Sequence, residues 1–148
     1  MKNVFQEAYE YSCKLLKIRD RSEYELKQKL IQKGFSQNVI LKVIDKLKNN
    51  LYLNEKKFIT NYIESKIKKL KPLSLILKEL KENFKIDKRN LEDIDFSFYK
   101  KLQFEIVKKF VEKKFKDFEE YRIYKFLLTR GFEETEIESI LFELKCQK

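Results

Sequence analysis

The stretch Glu23-Tyr24-Glu25-Leu26-Lys27-Gln28-Lys29-Leu30-Ile31-Gln32-Lys33-Gly34-Phe35 has a counterpart in Glu120-Tyr121-Arg122-Ile123-Tyr124-Lys125-Phe126-Leu127-Leu128-Thr129-Arg130-Gly131-Phe132. A constant offset of 97 residues pairs Leu26 with Ile123, Leu30 with Leu127, Ile31 with Leu128, Gly34 with Gly131 and Phe35 with Phe132. The register continues through Ile40 and Ile137, Val43 and Ile140, Ile44 and Leu141, and Leu47 and Leu144. An apolar pattern kept in step from Glu23 to Leu47 marks an internal repeat.

Each copy spells a helix, a stop and a second helix. Ser22-Glu23-Tyr24-Glu25 reads as a capping box, with Asp117-Phe118-Glu119-Glu120 as its counterpart. A basic residue, then Gly, then Phe fits a helix end in which Gly takes the left-handed position and Phe folds back on the last turn. Ile40, Val43, Ile44 and Leu47 then form one stripe at i, i+3, i+4, i+7. Further helical stretches, Phe5 to Ile18 and Leu102 to Phe115, precede the two copies. Three helices in about 48 residues make a unit, and three units fill the 148-residue chain. The expected fold is therefore all-α, with repeats at 1–50, 51–95 and 96–148.

The middle unit is the least regular. Asn54 is placed to cap a helix carrying Phe58, Ile59, Tyr62, Ile63, Ile67 and Leu70. Pro72 suits a first-turn position before Leu73, Ile76, Leu77, Leu80 and Phe84. No Gly closes that helix, and Asn83 is the nearest residue that tolerates a left-handed backbone. Asp87 is placed to cap a short third helix through Leu91 and Ile94.

Composition narrows the function. Two Gly and one Pro stand where average usage gives roughly ten and seven. That scarcity excludes turn-rich sandwiches, barrels and Gly-rich phosphate loops. No His is present, so Ser-His and Cys-His dyads and His-ligated metals are excluded. Cys13 and Cys146 cannot supply a four-thiolate zinc site or a disulfide framework. Neither a metal nor another cofactor is expected. Glu25-Leu26-Lys27, Glu79-Leu80-Lys81 and Glu143-Leu144-Lys145 each spell the E-x-K fragment of some nuclease sites. All three fall inside expected helices in a Glu- and Lys-rich chain, and no catalytic residue is assigned. Apolar runs are too short to span a membrane, and the first residues carry no secretion signal. The expectation is a non-enzymatic, monomeric cytoplasmic protein with no membrane partner.

Thirty-four Lys and Arg against 24 Asp and Glu leave a net charge of +10, which favours a polyanionic partner or an acidic protein surface. The densest basic segment is Lys66, Lys68, Lys69 and Lys71, with Lys56 and Lys57 earlier on the same stretch. A second is Lys108, Lys109, Lys113, Lys114 and Lys116. Arg21, Arg122 and Arg130 stand out because the chain otherwise avoids Arg. Each basic run also has a plain reading as a solvated helix face. Phe58, Tyr62, Phe84, Phe110, Phe126 and Phe142 fall on apolar stripes and are expected in the core, with Tyr24 and Tyr121 as contacts between helices.

Leu15-Leu16-x-x-Arg19-x-Arg21-Ser22-x-x-Glu25-Leu26-x-x-x-Leu30-x-x-Lys33-Gly34 resembles the opening signature of the RecX family, regulators of the RecA recombinase. Leu51-Tyr52-Leu53-Asn54-x-x-x-Phe58-x-x-x-Tyr62 resembles the family's Gly-Tyr-Leu-Asp-Asp segment, and Phe126-Leu127-x-x-Arg130-Gly131-Phe132 its third-repeat turn. Four departures stand out: Leu51 replaces Gly, Asn54 replaces Asp, Lys71-Pro72 replaces Gly, and Lys66 replaces Arg. The resemblance implies three stacked three-helix repeats in an elongated, curved right-handed array. It also implies a protein that binds RecA and lodges in the groove of RecA filaments on DNA. There it would inhibit ATP hydrolysis and strand exchange, in recombination, repair and the SOS response. On that reading Arg21, Lys56, Lys57, Lys66, Lys68, Lys69, Lys71, Lys108, Lys109, Lys113, Lys114, Arg122 and Arg130 are the candidate contacts to filament or DNA. The alternative is an independent DNA-binding helical-repeat protein.

Overall fold

A computed structural model describes residues 3–146. Among the described residues there are nine α-helices and no strand: α1 Val4–Ile18, α2 Glu23–Gln32, α3 Gln37–Asn49, α4 Glu55–Lys68, α5 Leu73–Glu82, α6 Lys88–Glu92, α7 Phe96–Lys114, α8 Glu120–Thr129 and α9 Glu134–Cys146. No helix among them is long and apolar enough to cross a membrane. Two compact units are resolved, Met1–Asn61 with Leu80–Glu92 and Tyr62–Glu79 with Asp93–Lys148. The division falls inside α4 and α5.

Most of the apolar repeat read from the sequence is a repeat of buried positions, whereas the pair Ile31 and Leu128 is exposed in both copies. Leu26 and Ile123, Leu30 and Leu127, Ile40 and Ile137, Val43 and Ile140, Ile44 and Leu141, and Leu47 and Leu144 are buried in both copies. In the first unit these residues join Ala8 and Leu53 in one cluster. In the second unit they join Leu70, Val107, Val111, Phe115 and Phe132 in another. Burial of each such side chain contributes about 1.5–3 kcal/mol, which is what holds helices only three turns long in place.

Caps set where the helices begin. Ser22 Oγ accepts the Glu25 N–H at 3.1 Å while Glu25 Oε1 accepts the Ser22 N–H at 3.2 Å, a complete capping box. Asn54 and Asp87 also cap as expected, accepting from Lys57 N at 3.1 Å and Arg89 N at 2.9 Å. The second capping box does not form. Glu119, not Asp117, precedes α8, and it makes no side-chain cap bond; its carboxylate pairs with Arg122 instead. α7 begins six residues ahead of Leu102, since Asp95 accepts the Phe98 N–H at 3.0 Å and starts the helix at Phe96. Pro72 sits one position before α5, where its carbonyl accepts the Ile76 N–H at 3.0 Å.

Stops set where they end. Gly34 (φ 97°) and Gly131 (φ 101°) hold the left-handed position. Phe35 N–H returns to Leu30 O, and Phe132 N–H to Leu127 O, both at 3.2 Å. The same bond pattern closes α3 and α4 without Gly. Leu51 (φ 61°) and Leu70 (φ 65°) take the left-handed position, with Tyr52 N–H bonding Leu47 O and Lys71 N–H bonding Lys66 O. After α5 it is Lys85 (φ 52°), not Asn83, that turns left-handed, and Ile86 N–H reaches Leu80 O at 3.1 Å. Burial of Leu70 and Ile86 supplies what the backbone conformation costs.

These stops carry substitutions of opposite sign. A Cβ on Gly34 would meet nothing within 4 Å, so Gly34→Ala bears only the left-handed backbone penalty and should lose about 1 kcal/mol or slightly more. Leu51 is 79% exposed, so Leu51→Gly relieves the same penalty with no burial lost and should gain about 0.5–1 kcal/mol. Urea denaturation of the two variants measures both, and equal signs would refute the stop assignment.

Candidate nucleic-acid interface

Three of the candidate cations converge on one group of rings in the second unit. Phe110 on α7 and Phe126 on α8 stack with centroids 5.1 Å apart and planes at 11°, and Phe115 meets Phe126 edge-on at 6.0 Å. The Lys114 ammonium lies 4.4 Å from the Phe126 centroid and 5.6 Å from that of Phe110. The Arg130 guanidinium lies 5.3 Å from the Phe126 centroid, and that of Arg122 5.6 Å from Phe115.

Local sequence builds the arrangement. Phe110 and Lys114 are i, i+4 in the last turns of α7, while Arg122, Phe126 and Arg130 are i, i+4, i+8 along α8, so each set shares a face. Cations at the end of α7 and at the C-cap of α8 also meet the negative helix termini. Each ring contact contributes about 0.5–1 kcal/mol and orients a side chain that would otherwise sweep solvent. Lys114, Arg122 and Arg130 nonetheless keep exposed residues. Arg122 also bonds Glu119 at 2.7 Å, a surface pair worth under about 1 kcal/mol and readily exchanged for a phosphate. With Phe110 stacked on it and two cations over it, the Phe126 ring has little face left for a base. The arrangement suits phosphate contacts.

The other candidates separate. At about 100° per residue, Lys109 and Lys113 lie on the α7 flank next to Phe110, whereas Lys108 turns well away from them. Lys56 and Lys57 are exposed in the first unit, on the opening turn of α4. Lys68 and Lys69 are exposed at the end of α4, but Lys66 and Lys71 are half-buried and engaged. Lys71 pairs with Glu79, Tyr62 donates its hydroxyl to Glu79 at 2.5 Å, and Lys66 lies 5.4 Å from the Tyr62 centroid. Burial pushes the Glu79 carboxyl up, but the bonds from Lys71 and Tyr62 and the nearby Lys66 bring it below the usual carboxylate range. Arg21 is 8% exposed, and its Nε donates to Leu15 O at 3.3 Å near the end of α1. Burial, then the neighbouring Arg19 charge, lowers its pKa. The Arg21 guanidinium is thus drawn onto the end of α1 and is largely buried there.

Phe110 and Phe126 pack against the buried cluster of the second unit, as expected, but are only half-buried, and the cations gather over their open side. The signal available in the sequence was the Arg-x-x-x-Phe-x-x-x-Arg spacing on α8. In the first copy the equivalent positions are Cys13 and Lys29, so that copy lacks the ring pair. Phe142 and Tyr121, also assigned to packing, are 68% and 69% exposed. Among the described residues no cluster of three or more His, Cys, Asp or Glu is placed to hold a metal.

The profile described as "RecX, first three-helix domain" matches residues 8–47. The chain is 30% identical over 138 residues to the regulatory protein RecX of Caldanaerobacter subterraneus subsp. tengcongensis, covering 92% of this chain and 70% of that one. The chain belongs to the RecX family. The regulatory protein RecX of Haemophilus influenzae is 23% identical over 145 residues, covering 90% of this chain and 92% of that one. The crystal structure of RecX from Lactobacillus salivarius superposes with a TM-score of 0.75 at 23% identity, over 96% of this chain and 97% of that one. A second crystal structure, of a regulatory protein RecX, gives 0.69 at 22% identity over 92% and 70%. In this RecX family member the all-helical architecture is thus shared with both solved structures.

Proposed function

We propose that this chain is a non-enzymatic cytoplasmic regulator that binds RecA and its filaments on DNA, lodges in the filament groove and lowers ATP hydrolysis and strand exchange. The observation that carries the reading is likeness to regulatory RecX proteins along about nine-tenths of the chain. The side chains add a means of attachment: Lys114, Arg122 and Arg130, flanked by Lys109 and Lys113, meet DNA phosphates while other surfaces meet RecA. Counterions released from the phosphates drive that contact without reading sequence.

Binding to RecA assembled on single-stranded DNA should be tighter than binding to the same DNA alone, by at least about tenfold, because protein contacts add to the phosphate contacts. Fluorescence anisotropy of a labelled chain measures both. Equal affinity for filament and naked DNA would favour the independent DNA-binding protein instead.

A further inference from the structure

On another flank of α8, Tyr121, Tyr124, Leu141 and Phe142 line a groove of about 670 Å³ between α8 and α9. Tyr121 and Phe142 are 69% and 68% exposed. Large apolar side chains left this open in one place mark an interaction surface more often than a scaffold need. The first copy of the repeat supports that reading. It has Lys27 where this copy has Tyr124, and Asp45 where it has Phe142. Lys27 and Lys48 there both pair with Glu23, at 3.6 and 2.7 Å, so the equivalent face is covered by charge. The fold therefore does not require aromatics at Tyr124 and Phe142, whereas the position of Tyr121 is also aromatic in the first copy, as Tyr24.

The charge of the groove selects the occupant. Glu120 is matched by Lys145 at 2.9 Å across the groove. Further along, Glu134 and Glu138 stand beside Tyr124, whose pKa is raised by burial and then by the Glu134 charge. Lys125 lies over the Tyr121 ring at 5.0 Å, so the excess of negative charge is confined to the Glu134 and Glu138 end of the groove, which suits a Lys or Arg of an occupant there. Two helices in contact offer a third helix a seat along their shared furrow.

We propose that the α8–α9 groove docks a positively charged amphipathic helix of a partner protein, its apolar face on Tyr121 and Phe142 and its cations at Glu134 and Glu138. Tyr121 and Phe142 act as the aromatic anchors of such a contact. The surface is separate from the phosphate-facing cations, and the inference stands without the filament reading.

The test is selection from a phage-displayed library of peptides of about 16 residues, long enough for i, i+3, i+4, i+7 anchors, against the full chain. Enriched peptides should be amphipathic and net positive. Their affinity should fall about tenfold or more both in Tyr121→Ser/Phe142→Ser and in Glu138→Lys. These side chains are exposed, and unchanged circular-dichroism melting of the variants establishes that they fold. Failure to enrich any peptide, enrichment of acidic peptides, or equal binding by the variants would overturn the proposal. So would a wild-type dimer in sedimentation equilibrium that the double variant abolishes, since the face would then serve a second copy.

Discussion

Phe132→Ala is expected to destabilise the unit comprising residues 62–79 and 93–148 by about 3–4 kcal/mol. Phe132 is 2% exposed and lies in the same buried cluster as Ile123, Leu127 and Ile137. It follows Gly131, so its N–H closes the end of α8 while its ring fills the space under the turn. Removing the ring opens a cavity where a short helix is already held mainly by burial. Phe35, its counterpart, is only half-buried, and Phe35→Ala should cost about 1–2 kcal/mol. Urea denaturation gives the size of each effect, and amide hydrogen exchange gives its location. A loss under about 1 kcal/mol for Phe132→Ala would contradict the assignment of this turn as a core element.

Joint replacement of Lys114, Arg122 and Arg130 by Gln should change how binding to DNA depends on salt. Each phosphate contact on a single strand contributes about 0.7 to the slope of log affinity against log salt, so three give about 2. At 0.1 M salt the affinity should fall roughly 100-fold. If Lys109 and Lys113 complete a set of five, the unsubstituted chain should itself weaken roughly 100-fold between 50 and 200 mM salt. Lys108→Gln, on the flank turned away, should leave the slope unchanged. Anisotropy titrations at four salt concentrations read all of these. An unchanged slope in the triple variant would remove the cation cluster from the DNA contact.

The positions that could be read from the sequence are those where one residue type has one physical use. Gly34 and Gly131 announced left-handed stops, Ser22 with Glu25 announced a capping box, and six apolar pairs announced the buried face. Leu51, Leu70 and Lys85 were not legible as stops, because a side chain in that conformation is tolerated only when its surroundings hold it there. Asp117 was misread since an acid near a helix start fits a cap in the chain, and only geometry reveals that Glu119 occupies the position. The repeat register itself misled for Tyr121 and Phe142. Equivalent positions share backbone geometry, but exposure depends on what packs above them, and nothing among the described residues buries these two. Of the candidate cations, spacing could have assembled Arg122, Phe126 and Arg130, whereas the approach of Lys114 from α7 needed the fold.

Regulation of RecA should be visible in RecA's ATP hydrolysis on single-stranded DNA as the chain is titrated in. Hydrolysis should fall at well below one chain per RecA protomer, since one molecule lodged in a filament groove would touch several protomers. Undiminished hydrolysis at equimolar or higher chain, together with tight binding to duplex DNA, would contradict it.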